Sequence, residues 1–158
     1  MRRQAALDYH SVNPPRPLPQ RMRFQSQPNK SSMPDNTTIL VVDDEPAVLR
    51  VLRAVLERDG YDVLTACDVA TAKQAAPGRH IALILSDIDL PDGTGLELCL
   101  WAKARPELAQ APVLLCSGRD DPETRRLALE AGAVDFVAKP FVVAELRERI
   151  RFHLRAAG

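Results

Sequence analysis

No two of the three cysteines, Cys67, Cys99 and Cys116, stand in a C-x-x-C pair. That spacing excludes a zinc knuckle and a disulfide framework, so the thiols read as small core residues. Nor does any apolar stretch approach the roughly 20 residues that a bilayer helix needs. The N-terminus is basic but has no apolar h-region, which argues against secretory export and predicts a cytoplasmic chain. Net charge is absent too, 21 Lys and Arg being matched by 21 Asp and Glu. The balance hides an asymmetry. Residues 1–38 hold Arg2, Arg3, Arg16, Arg21, Arg23 and Lys30 against Asp8 and Asp35, about +4, and the remainder is about −4.

Six of the 13 prolines, Pro14, Pro15, Pro17, Pro19, Pro28 and Pro34, also fall in residues 1–38, among Gln, Ser, Asn and Arg. So few large apolar side chains cannot offset the entropy of ordering, and the stretch reads as a disordered Pro/Arg-rich extension. It is read as a solvated extension rather than a tether for an acidic or membrane surface, and Met33 is an alternative start. No nucleic-acid or membrane partner is expected. A length of 158 residues gives room for one domain and predicts no attached output module. The expected boundaries are an extension over 1–38, one domain over 39–155 and a C-terminal tail over 156–158.

From Ile39 onward, short apolar runs alternate with helical periodicity. Ile39-Leu40-Val41-Val42 is a β-branched run ending in acids, as a buried parallel strand should. Residues 46–58 then put Val48, Leu49, Leu52, Val55 and Leu56 on one helical face, and Gly60 closes the segment. Further strands are predicted near 62–66, 81–86, 112–117 and 134–138, and helices near 68–75, 94–105, 122–131 and 142–155. Five βα units with short connections predict an α/β fold, a doubly wound five-stranded parallel sheet with its site at the carboxyl ends of the strands.

Three acids fall at those ends: Asp43 and Asp44 after the first strand, and Asp87 after the third. One such acid is ordinarily a helix cap. Three together are costly without compensation, since carboxylates ~4 Å apart repel by ~4 kcal/mol per pair at an effective dielectric of 20. Oxygen ligands without His or Cys point to Mg²⁺. The fourth strand ends in Ser117-Gly118 and the fifth in Lys139-Pro140. A nucleophilic carboxylate, a metal, a hydroxyl and an ammonium along one edge are the equipment for phosphoryl transfer to an aspartate.

Three segments carry a resemblance: Ile39-Leu-Val-Val-Asp-Asp-Glu-Pro46, Ser86-Asp-Ile-Asp-Leu-Pro-Asp-Gly93 and Gly132-Ala-Val-Asp-Phe-Val-Ala-Lys-Pro-Phe141. In order and spacing they resemble the signature regions of response regulator receiver domains, over residues 39–155. The resemblance implies the flavodoxin-like (βα)5 receiver fold and a stand-alone two-component regulator that signals by changing its protein–protein binding. Asp87 would take a phosphoryl group from a phosphohistidine on a histidine kinase or phosphotransfer protein. Asp44, Asp87 and the Asp89 backbone carbonyl would bind Mg²⁺ directly, with Asp43 acting through water. Lys139 would pair with the phosphoryl oxygens and Ser117 would move in to hydrogen-bond them. Phe136 matches the switch aromatic that swings inward with Ser117, and Pro140 a cis-peptide proline that aims Lys139. Asp89 and Arg119 match positions that tune dephosphorylation, and a pair between them across the site mouth is one of two open readings. An output protein or a second copy of the chain would bind the face built by residues 122–155.

Ser117 stands where Thr is more frequent and Phe136 where Tyr is, so switching is expected to be looser. His10, His80 and His153 lie in no kinase-like helix and read as surface or helix residues. The domain would catalyse only its own phosphorylation and dephosphorylation. Two rivals remain. Asp87-Ile88-Asp89 also fits the D-x-D of haloacid dehalogenase-type phosphatases, although that motif belongs after a first strand. A pseudo-receiver used as a binding module is the other, against which stands the presence of every site residue.

Overall fold

A computed structural model describes residues 37–158. The expectations for residues 1–36, including the disordered extension, the alternative start at Met33 and His10, lie outside the described residues. The main sheet is parallel throughout, in the order β2-β1-β3-β6-β7. Its strands are β1 (Thr38–Val42), β2 (Asp62–Ala66), β3 (Ile81–Asp87), β6 (Val113–Ser117) and β7 (Asp135–Ala138). Five helices connect them: α1 (Pro46–Arg58), α2 (Val69–Ala75), α3 (Gly95–Lys103), α4 (Pro122–Glu130) and α5 (Val143–Ala157). This is the doubly wound arrangement that the alternating pattern predicts.

Strand side chains alternate between faces, and the sequence uses both. Leu40, Val42, Ile84 and Leu115 pack toward α2, α3 and α4, meeting Val69, Ala72, Leu98, Ala102 and Ala128. Ile39, Val41, Leu83, Leu85 and Leu114 pack toward α1 and α5, meeting Leu52, Leu56, Leu146 and Ile150. Residues 39–42 of β1 and 81–85 of β3 are thus apolar regardless of parity, which is why these strands read as continuous runs. Helix boundaries follow local chemistry. Asp68 and Asp121 cap α2 and α4 by accepting the Thr71 and Thr124 N–H groups, and Thr94 with Glu97 forms a capping box on α3. Gly60 closes α1 at φ +95°, a conformation that side chains other than glycine's rarely adopt.

The structure departs from the sequence expectations in four respects. Thr38 already pairs with Asp62 and Ile81, and the Thr37 carbonyl accepts the Asp62 N–H, so β1 starts before Ile39. Proline-rich composition upstream masked two β-branched residues. At the other end α5 runs on to Ala157, because alanine sustains a helix well. A two-residue antiparallel pair, β4 (Asp89–Leu90) with β5 (Gly93–Thr94), folds the loop after β3, a local turn too short to show as periodicity. Cys99 and Cys116 are core residues as expected, but Cys67, just beyond β2, is exposed. Among the described residues no helix is long and apolar enough to cross a membrane.

Candidate functional site

Because β1 and β3 are neighbours, their carboxyl ends bring Asp43, Asp44 and Asp87 together. Each offers a carboxylate oxygen, and these oxygens lie within 4.8 Å of one another. Asp43 is buried one residue past β1, where its N–H continues the β1–β2 pairing by donating to the Ala66 carbonyl. Asp87 is the last residue of β3 and is 8% exposed, while Asp44 faces solvent. Lys139 reaches in from the end of β7. Its ammonium donates to Asp43 Oδ2 at 2.6 Å and to Asp87 Oδ2 at 3.0 Å. The Lys139 N–H donates to the Ser117 carbonyl at 2.8 Å, and the Lys139–Pro140 peptide bond is cis.

Burial pushes the Asp87 carboxyl above the usual carboxylate range; Lys139 opposes the shift and Asp43 adds to it. Burial pulls the Lys139 ammonium down, but its hydrogen bonds to Asp43 and Asp87 and their charges outweigh this, and its pKa is raised. Lys139 therefore stays a cation, paired with two members of a cluster of three carboxylates. The excess negative charge, with hard oxygen donors and no imidazole or thiolate among them, fits Mg²⁺. Cys116, one residue before Ser117, is pushed up to about 12 by burial, so its thiol stays protonated and is no rival nucleophile.

Ser117, Arg119, Asp89 and Pro140 lie about this centre, whereas Phe136 lies in the core under α4. Ser117 ends β6 wholly buried, and its Oγ accepts the Arg119 N–H at 3.0 Å. Arg119 Nη2 meets Asp89 Oδ1 at 3.0 Å, so the pair across the mouth exists. Phe136 is 6% exposed, already packed in the core beneath the Arg125 guanidinium, 4.8 Å from its ring. Pro140 sits with Asp87, Asp89, Gly118 and Lys139 around the open hollow above the acid cluster. The D-x-D of Asp87-Ile88-Asp89 follows an interior strand of the sheet, not the first, and its second acid is engaged by Arg119.

Two positions were missed by sequence reasoning. At Gly95 a Cβ would lie 2.2 Å from the Asp87 carbonyl oxygen, so only glycine lets α3 start against the strand end. Asp92 accepts the Val69 and Ala70 N–H groups at 2.8 and 2.9 Å, pinning the loop after β3 to the start of α2. The available signal was the run Asp92-Gly93-Thr94-Gly95, two glycines around a capping threonine.

Comparison with known proteins gives the family and the fold. The family model "Response regulator receiver domain" matches residues 39–151. The alkaline phosphatase synthesis transcriptional regulatory protein PhoP of Bacillus subtilis is 38% identical over 120 residues, 76% of this chain and 49% of that protein. The KDP operon transcriptional regulatory protein KdpE of Escherichia coli is 38% identical over 119 residues, 75% of this chain and 52% of that protein. The chain thus spans about half the length of the curated relatives it matches. The CheY-like receiver domain protein of Methanospirillum hungatei superposes with a TM-score of 0.72 at 30% identity, covering 77% of this chain and 95% of that one. The chemotaxis response regulator CheY4 of Vibrio cholerae does so with 0.70 at 26%, covering 74% and 98%.

Proposed function

Because the chain belongs to the response regulator receiver family of two-component signalling, we propose that Asp87 is its phosphoacceptor, charged from a phosphohistidine on a histidine kinase or phosphotransfer protein. The observation that carries this reading is the Asp87 carboxylate lying between the Lys139 ammonium and two further acids at one sheet edge. An Asp87 oxygen forms the O–P bond as the P–N bond breaks. The P–N electron pair stays on the imidazole, which leaves neutral when its other nitrogen carries a proton. Lys139 meets the charge on the phosphoryl oxygens, and Ser117 hydrogen-bonds them once it turns from its own loop. Mg²⁺, held by Asp44, Asp87 and the Asp89 carbonyl with Asp43 acting through water, would supply further neutralising charge. Asp89 and Arg119 at the mouth tune loss of the phosphoryl group, and Pro140 keeps Lys139 aimed.

The domain so read runs from β1 through α5 and lies in the cytoplasm with its kinase. It is a signalling device that turns over only its own phosphoryl group. The change leaves through α4, β7 and α5. Phe136 lies beneath α4 at this face, where Leu129, Val134 and Phe152 are 62%, 44% and 59% exposed. An output protein or a second copy would dock there.

The test is intact mass after incubation with acetyl phosphate and Mg²⁺. The expected result is a single acid-stable, hydroxylamine-labile phosphoryl group, lost in Asp87→Asn. Full labelling of that variant would overturn the assignment. In the same preparation Mg²⁺ should raise the melting temperature by mass action, and Asp44→Ala should remove that response.

A further inference from the structure

Arg119 is linked to the site twice, by backbone and by side chain. Its N–H donates to Ser117 Oγ at 3.0 Å, which commits the hydroxyl oxygen to the turn that follows β6. Its guanidinium crosses to Asp89 Oδ1 at 3.0 Å, in the loop that leaves Asp87. The two loops start from paired strands, Asp87 lying opposite Cys116, so the links close a ring running through Asp87, Asp89, Arg119 and Ser117. The next residue extends the ring. Asp120 Oδ1 accepts from Arg125 Nε at 2.5 Å, and that guanidinium lies over Phe136.

We propose that Arg119 is a positioning residue: its pair with Asp89 clamps residues 118–121 so that Ser117 stays engaged in its own turn until Asp87 is charged. The inference rests on the reading of Asp87 as phosphoacceptor. A phosphoryl group brings about −1.5 to −2 of charge beside Asp89 and competes with it for the guanidinium. Once Arg119 leaves Asp89, the turn loses its outer anchor and the Ser117 hydroxyl is free to face the phosphoryl oxygens. A clamp of this kind has to be weak to be released. The pair fits, because its side chains are 64% and 62% exposed, and such a pair biases a population only by roughly two- to fivefold. The same loop holds Arg125 over Phe136 through Asp120, so its release reaches α4 and β7 without a separate trigger.

The test uses the unphosphorylated full chain without Mg²⁺ and follows amide exchange at position 119, corrected for intrinsic rates. Ser117→Ala sets the value for a lost acceptor. Arg119→Ala and Asp89→Ala should each speed exchange roughly two- to fivefold. Each should also move the amide shift toward that of the beryllofluoride-loaded protein. The double variant should be no faster than either single one, and the charge reversal Asp89→Arg with Arg119→Asp should restore slow exchange. Unchanged exchange in both single variants, or additive acceleration in the double, overturns the clamp. Acetyl phosphate labelling of the same wild-type sample is read separately. Failure to label removes the phosphoacceptor reading, whereas the exchange data alone decide the clamp.

Discussion

The two helical layers that cover the sheet are built differently. On one side α1 and α5 press large aliphatic residues, Leu52, Leu56, Leu146 and Ile150, onto the sheet. They are cross-tied where Arg147 and Arg151 both reach the buried Asp59 carboxylate at the end of α1. On the other side α4 buries only Thr124 and Ala128, and its long side chains, Arg125, Arg126 and Glu130, engage charges at the surface. Burial energy scales with apolar area, so the first layer is a frame and α4 is the element cheapest to move. The site lies at the edge shared by both: Asp43 and Asp44 lead into α1, whereas Ser117 leads into α4. Such a division lets a small electrostatic change at Asp87 act on one layer while the other keeps the acids in register.

The sharpest way to break this contrast is to truncate one large side chain in each layer. Leu56→Ala, at 1% exposure, should cost about 2–5 kcal/mol in urea unfolding. Leu129→Ala on α4, at 62% exposure, should change stability by less than about 0.5 kcal/mol. Equal losses would mean that α4 is as firmly seated as α1. Next in size is Gly95→Ala, which forces a methyl group against the Asp87 carbonyl. It should cost about 1–3 kcal/mol and slow acetyl phosphate labelling, because the backbone must shift at the phosphosite itself. Normal labelling with an unchanged unfolding midpoint would show that the strand end has slack.

A smaller effect is expected from the tie between α1 and α5. Arg147→Ala leaves Arg151 as a second partner for Asp59, so the unfolding midpoint should fall only slightly, and Arg147→Ala with Arg151→Ala should lose more than the sum of the singles. Additive losses would show that the two arginines do not share the load. Smallest is a pH effect confined to one layer. Hydrogen bonds from Thr71 hold the Asp68 carboxyl below the ordinary 3.8, and those from Thr124 do the same for Asp121. A depressed folded value means that the caps contribute fully above the unfolded value and are lost as pH falls through the folded one. Amide exchange in the first turns of α2 and α4, corrected for intrinsic rates, should therefore rise as pH drops below 3.8. The first turns of α1 and α5, which have no side-chain cap, serve as the internal reference. Equal acceleration in all four helices would refute the capping account.

Much of this architecture was readable in the chain because parallel strands and their crossover helices are encoded locally. The runs at 39–42 and 81–85 are apolar at both parities since each face of the sheet is covered, and Gly60 marks the end of α1 by a conformation that other residues avoid. Asp43, Asp44, Asp87, Ser117 and Lys139 were identifiable for a similar reason. They stand at strand ends, and strand ends of a doubly wound sheet share one edge. Sequence alone therefore determined the fold class, the carboxyl-edge location of the site and the hard-oxygen chemistry of its acids.

Only the tertiary structure decided how those residues are paired. That Lys139 spans Asp43 and Asp87 and that Arg119 reaches Asp89 are contacts between positions 30 to 96 residues apart, and Phe136 is buried under Arg125 of the preceding helix. No local pattern encodes them, because each depends on strand order and on rotamers that charge and packing select together. The need for glycine at position 95 is of the same kind: its cause is a carbonyl oxygen eight positions earlier in the chain, brought near by a turn that only the folded loop defines.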